Sequence, residues 1–186
     1  LNHQSLIATK AARVCYAAQN DGVMEFGLRR AQGPDAGIYG ARAAMIGGCI
    51  GTSNVLTGQM FDVPVKGTHA HSWIMSFPDE YTAFKTYARL YPNSCTLLVD
   101  TYDVLKSGVP NAIKAFNEVL RPKGITKCAI RLDSGDIAYL SIEARKMLDA
   151  AGFEDMQIMA SNALDEYLVR DLLVQGARVD SFGIGE

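Results

Sequence analysis

Five short apolar runs, each closed by a small polar cluster, constrain this chain more tightly than any other feature of its sequence. Val63-Pro64-Val65 leads into Gly67-Thr68-His69-Ala70-His71-Ser72-Trp73. Later runs end at Asp100-Thr101-Tyr102-Asp103, Asp133-Ser134-Gly135-Asp136, Ser161-Asn162 and Gly183-Ile184-Gly185. The stretches between them carry helical spacing. Tyr81, Phe84, Tyr87 and Ala88 share one face, as do Ile113, Phe116, Val119 and Leu120, then Leu140, Ala144, Met147 and Leu148, and 164–174 is helical too. Strands opening at 63, 96, 127, 156 and 179 with helices between them predict consecutive βα units of a parallel sheet. In an open doubly wound sheet the chemistry gathers at one switch point. Here every strand end is polar, which predicts an α/β fold of the (β/α) barrel kind, or a large part of one.

The chain before this rhythm is less regular. Residues 3–19 have helical spacing, and Asn20-Asp21-Gly22 stops the helix. Val23 to Leu28 is strand-like and delivers Arg29-Arg30 ahead of Gln32-Gly33-Pro34-Asp35-Ala36-Gly37. Guanidinium forks match phosphate oxygens, so this pair fits a phosphate grip, against the plainer reading of two solvated charges on a loop. From 38 to 60 small residues recur at helical spacing, which predicts a helix packed tightly on a sheet or on a partner subunit. Gly51-Thr52-Ser53-Asn54 reads either as a helix cap and turn or as hydroxyls aimed at a ligand.

A net charge of −2 over 186 residues gives no support to a nucleic-acid partner or an anionic membrane. No run has the apolar length of a membrane span. Cys15, Cys49, Cys95 and Cys128 form no CxxC pair, so neither a zinc knuckle nor a disulfide framework is expected, and the reading is of reduced thiols in the cytoplasm. The chain opens without an initiator Met and ends as a strand delivers its glycine turn. Both ends therefore read as cut from something longer, with 1–22 a helix linking from a missing N-terminal region and 23–186 a central barrel segment truncated at its C-terminus.

The strand ends carry candidate chemistry. Asp133-Ser134-Gly135-Asp136 can hold ribose hydroxyls or a magnesium ion while its amides face a phosphate, although Asp136 or Ser134 also serves as a helix cap. Arg131 lies just inside its strand, where an arginine is rarely buried without an anionic partner. Ser161-Asn162 ahead of Asp165-Glu166 reads equally well as a helix start. Gly183 and Gly185 permit close approach of a phosphate, a weak signal alone. His69 and His71, two apart on a strand, would present both rings on one face. A two-metal site needs further histidines at later strand ends, and the only other one is His3, so no metal site is expected within this chain. What remains is one histidine acting as nucleophile or base near phosphates, or two structural histidines.

Glu25-Phe26-Gly27-Leu28-Arg29-Arg30-Ala31, Gly67-Thr68-His69-Ala70-His71-Ser72, Val99-Asp100-Thr101-Tyr102-Asp103 and Ile130-Arg131-Leu132-Asp133-Ser134-Gly135-Asp136, in this order, resemble the nicotinate phosphoribosyltransferases. The likeness runs through essentially the whole chain. It implies a barrel of the type II phosphoribosyltransferase kind, incomplete within this chain. It also implies the first step of NAD salvage: nicotinate and phosphoribosyl pyrophosphate give nicotinate mononucleotide and pyrophosphate, with coupled ATP hydrolysis. Magnesium would travel with the substrates. In that family the histidine directly before the motif's serine is transiently phosphorylated, which falls on His71, whereas other residues are tolerated at His69. By resemblance Arg29 and Arg131 lie at the pyridine and phosphoribosyl site, with Arg30 beside Arg29, Asp133 near the ribose and Asp100 beside the ligand. Asn162, Gly183 and Gly185 lie near the 5′-phosphate. Sites in the family are completed by the N-terminal region and a partner subunit, so a homodimer with a shared active site is expected, and the segment alone is expected to be inactive. The related nicotinamide phosphoribosyltransferases carry an Asp at the position of Ser53, which would repel a carboxylate, whereas Ser53 can donate to one. A barrel that only binds a phosphate or nucleotide is the third alternative.

Overall fold

Helical spacing in the first seventeen residues produces α1 (Asn2–Ala17), which buries Ala11 and Val14 in a computed structural model that describes residues 1–185. Backbone hydrogen bonds from Ala18 and Gln19 close it, and Gln19 turns the chain with φ 58°. Beyond it the chain alternates strands and helices, and each of the strand pairings described is parallel. Contacts group the chain into two compact units.

The first unit comprises Leu1–Gly67, Ser161–Gln175 and the chain from Asp180. Its strand β1 (Gly22–Glu25) lies between β2 (Gly51–Thr52) and β6 (Ser181–Ile184), with Met24 opposite both Gly51 and Gly183. Helix α1 packs on α2 (Pro34–Ile46) and on α8 (Glu166–Val174). Lys10 and Arg13 of α1 clasp the buried Glu166 of α8, which holds that carboxyl below its usual range. The glycine-rich stretch after the two arginines is the start of α2: Gly33 adopts φ 100°, Pro34 enters the first turn and Asp35 sits near the positive end of the helix dipole.

The small-residue stretch 38–60 is not one helix. It breaks at Gly47-Gly48, where Gly48 takes φ 112° and the amides of Gly47, Gly48 and Cys49 bond back to the last turn of α2. Ile50 then donates to Val23 O, the chain pairs as β2, and Asn54 caps α3 (Val55–Phe61) by accepting from Thr57 N. The strand expected from Val63 is reduced to a single bridge between Thr52 and Val65, because Pro64 has no amide to donate.

The second unit, Thr68–Ala160 with Gly176–Val179, keeps the predicted rhythm. After α4 (His71–Met75) and α5 (Glu80–Leu90) come β3 (Thr96–Leu98), α6 (Val109–Ala115), β4 (Ala129–Leu132), α7 (Ile137–Ala150) and β5 (Gln157–Ala160). Strand β4 lies between β3 and β5, with Leu98 opposite Arg131 and Leu132 opposite Ala160. Wider turns at Val104–Gly108 and Phe116–Leu120 extend α6 at both ends. Phe84, Phe116, Leu97, Ile130, Leu148 and Ile158 are fully buried, the apolar faces predicted for these helices and strands. No helix among the described residues is long and apolar enough to cross a membrane.

Candidate active site

In the second unit the two histidines part company. They do not share one face of a strand: His69 lies in the approach loop and His71 opens α4. His69 is 7% exposed, accepts from Leu98 N at 3.2 Å through Nε2, and meets the edge of the Tyr87 ring with centroids 4.6 Å apart. An accepting Nε2 places the proton on Nδ1, which faces Ala70 O at 3.4 Å. Burial pushes the His69 pKa down to about 4, so this ring is neutral and structural.

His71 is the opposite case. Its side chain is 40% exposed, and Nε2 lies 3.1 Å from Oδ1 of Asp100, whose own side chain is 1% exposed. Asp100, just beyond β3, also accepts from Asp133 N at 3.1 Å and from Ser134 Oγ at 2.5 Å through Oδ2. Asp133 N and Ser134 Oγ both donate to this carboxyl group, and Nε2–H of His71 donates to its other oxygen. The tautomer that donates through Nε2 carries its lone pair on Nδ1.

Arg131, at 14% side-chain exposure, meets Asp133 Oδ1 at 2.9 Å through Nη2 and donates to Thr68 Oγ1 at 2.8 Å through Nη1. The anionic partner that a buried strand arginine demands is thus Asp133. Asp136 caps α7 by accepting from Tyr139 N at 3.0 Å, while Ser134 serves Asp100. The same four-residue turn therefore both starts a helix and holds the site. His71, Asp100, Arg131 and Asp133 are brought together within this unit, with Thr68, which the sequence did not single out, and Ser134, which it offered only as a helix cap.

In the first unit, Arg29 and Arg30 lie in an exposed turn of 3-10 helix directly after β1. Ser53, half-buried, follows β2 and donates its amide to Glu25 O at 3.0 Å. The carboxylate of Glu25 accepts from Gly27 N and from the hydroxyl of the fully buried Thr52. Gly183 is buried within β6 opposite Met24, and a Cβ on Gly185 would come within 3.0 Å of Phe26 O, so the close approach expected of the second glycine is to its own chain. Asn162 is exposed with φ 106°, and the cap of α8 is Asp165, which accepts from Tyr167 N and Leu168 N. The stretch opens a helix as expected, with Asp165 rather than Ser161 or Asn162 as its cap and Glu166 in the first turn. A cavity of about 180 Å³ beside Glu25, Arg30 and Gly185 is floored by Val14 and Ala41. Thr52, one of the hydroxyls read as aimed at a ligand, instead donates to Glu25 across 27 positions from a fully buried site, a pairing that no local pattern signals.

The profile of the nicotinate phosphoribosyltransferase (NAPRTase) family matches residues 22–185. The chain is similar to a nicotinate phosphoribosyltransferase of Bacillus subtilis, 53% identical over 185 residues that cover 100% of this chain and 37% of that protein. It is similar in structure to human nicotinic acid phosphoribosyltransferase, with TM-score 0.88 and 33% identity over 98% of this chain and 47% of that one. A nicotinate-nucleotide pyrophosphorylase from Pyrococcus furiosus superposes with TM-score 0.85 at 31% identity, covering 98% of this chain and 46% of the other. The chain thus spans less than half the length of these relatives. Their likeness bears out the α/β barrel class of the type II phosphoribosyltransferases, incomplete within this chain. The chain belongs to the nicotinate phosphoribosyltransferase family.

Proposed function

We propose that this chain is the central catalytic segment of an enzyme that forms nicotinate mononucleotide and pyrophosphate from nicotinate and phosphoribosyl pyrophosphate, coupled to ATP hydrolysis through a phosphohistidine at His71. The observation that carries the coupling is the His71–Asp100 pair, 3.1 Å apart with Asp100 buried and filled by donors. Nδ1 of His71 attacks the γ-phosphorus of ATP, a nitrogen–phosphorus bond forms, the bond to the bridging oxygen breaks and ADP leaves. Asp100 keeps the ring in the nucleophilic tautomer and balances the positive charge that develops on it. Water later cleaves the phosphohistidine to release inorganic phosphate. Magnesium arrives with the polyphosphates as part of the substrate complex.

In the transfer step the pyridine nitrogen of nicotinate forms its bond to the anomeric carbon as the carbon–oxygen bond to pyrophosphate breaks. The anomeric carbon carries cationic character at that moment, which a fixed carboxylate stabilises, and Asp133 takes that role with Arg131 orienting it and binding phosphate. Arg29, Arg30 and Ser53 are donors suited to the nicotinate carboxylate, and Asn162, Gly183 and Gly185 are assigned to the 5′-phosphate. Ser53 favours nicotinate over nicotinamide, because an acceptor-only carboxylate pairs with donors. The reading carries a cytoplasmic homodimer with a shared site, and predicts that purified 1–186 alone turns over nothing. PRPP-dependent conversion of labelled nicotinate by the enzyme containing this chain, with ATP and Mg²⁺, tests it. Product from nicotinamide instead supports the amide branch, and no nucleotide from either overturns the transferase reading.

A further inference from the structure

Glu25 stands at the end of β1, between the two segments assigned above to the nicotinate carboxylate. One carboxylate oxygen accepts from Gly27 N, at the root of the turn that carries Arg29 and Arg30. The other accepts from the hydroxyl of Thr52. That hydroxyl in turn accepts from Asn54 N at 3.0 Å, while Ser53 N donates to Glu25 O at 3.0 Å. Ser53 is therefore pinned to Glu25 of the adjacent strand through its own amide and through Thr52, and the Asn54 amide is tied in turn to the Thr52 hydroxyl.

We propose that Glu25 and Thr52 form a brace that sets substrate choice, holding the arginine-bearing turn and the Ser53 turn in the register that accepts a pyridine carboxylate. The inference rests on the nicotinate reading above. Thr52 is fully buried, so it touches no ligand and acts through Ser53 as a positioning residue. Gly27 fits the same design: a Cβ there would come within 2.9 Å of Glu25 Oε1, so glycine lets the carboxylate reach the amide. A hydrogen bond to a charged acceptor is stronger than a neutral one, and removing the Thr52 hydroxyl leaves the half-buried Glu25 carboxylate short of a partner. Small displacements of binding groups are costly when donors must match a carboxylate. Loss of the brace should then weaken binding of the acid while leaving the chemistry of phosphoribosyl transfer in place.

The test is steady-state kinetics of the full enzyme with Thr52→Val and Thr52→Ser, measuring KM for nicotinate and inhibition by nicotinamide. Thr52→Val keeps the shape and removes the hydroxyl. It is expected to raise KM for nicotinate about tenfold with a much smaller change in kcat, to leave nicotinamide inhibition near the parental value, and to be rescued by Thr52→Ser. Should Thr52→Val not fold, Glu25→Gln is expected to shift the nicotinate KM in the same direction. Parental nicotinate KM in a folded Thr52→Val or Glu25→Gln enzyme, or a loss confined to kcat, overturns the brace. A parent that makes no nicotinate mononucleotide overturns the brace and the reading beneath it together, which an active parent with an unaltered variant does not.

Discussion

The Nε2 atom of His71 and the Oδ1 atom of Asp100 lie 3.1 Å apart, the first on a half-buried ring and the second on a carboxylate whose other oxygen is occupied by Asp133 N and Ser134 Oγ. This geometry makes Asp100 a device for orienting one imidazole. Asp100→Asn replaces an oxygen that only accepts by an amide that donates, so one of the three donors loses its partner or the ring turns over. The rate of His71 phosphorylation is expected to fall by about a hundredfold or more. Rapid-quench measurement of phosphoenzyme formation checks this, and parental rates in Asp100→Asn would remove Asp100 from the mechanism.

His69 predicts a pH dependence of stability. Its folded pKa, near 4, lies below the ordinary value of 6.5 because burial disfavours the cation. The unfolded chain therefore binds more protons between those limits, and stability rises with pH across the window. Stabilisation from keeping this ring neutral is complete above about pH 6.5 and is lost as pH falls towards 4, at roughly 1.4 kcal/mol per unit of pKa difference. Urea unfolding of the parent and of His69→Gln between pH 4 and 7 should show the steeper acid decline in the parent. Parallel curves would count against a buried neutral His69.

Arg131 spans two oxygen acceptors, Thr68 Oγ1 at 2.8 Å and Asp133 Oδ1 at 2.9 Å. Lysine offers a point charge without the planar fork and cannot hold both in the same geometry. Arg131→Lys is expected to raise KM for phosphoribosyl pyrophosphate about tenfold or more, with the fold retained by circular dichroism. An unchanged KM would place the phosphoribosyl contact elsewhere.

Gly108 closes the wide turn ahead of α6 so tightly that a Cβ would run into the carbonyl oxygen of Val99 and come within 2.8 Å of its carbon. Backbone cannot yield as a side-chain tip does. Gly108→Ala should cost about 2–4 kcal/mol of stability by overpacking. Chemical denaturation reads the loss directly, and a parental midpoint would show that the turn can relax.

The parallel strands and their polar ends were legible because a buried strand followed by a helical period leaves a pattern every few residues. Asp133 and Arg131 stood out because charge beside a buried strand needs an explanation. The break at Gly47-Gly48 was not legible, since small residues suit both a close-packed helix and the turn that ends one; pairing of Ile50 with Val23 decides between them. The separate fates of His69 and His71 depend on the irregular loop after Pro64, where no period fixes which way a side chain points. Asp100 read as one more residue beside the ligand. Its role as the hub for His71, Asp133 and Ser134 comes from contacts across 29 to 34 positions, which only the fold supplies. The Glu25–Thr52 brace was hidden for the same reason.

The central claim is that His71 accepts a phosphoryl group and His69 does not. Incubating the full enzyme with γ-labelled ATP and Mg²⁺, without other substrates, should give an acid-labile, base-stable protein phosphate. The label should persist in His69→Ala and vanish in His71→Ala. A folded parent that takes up no label, or a His71→Ala enzyme that keeps it, would contradict the account and leave an uncoupled transferase or a binding barrel.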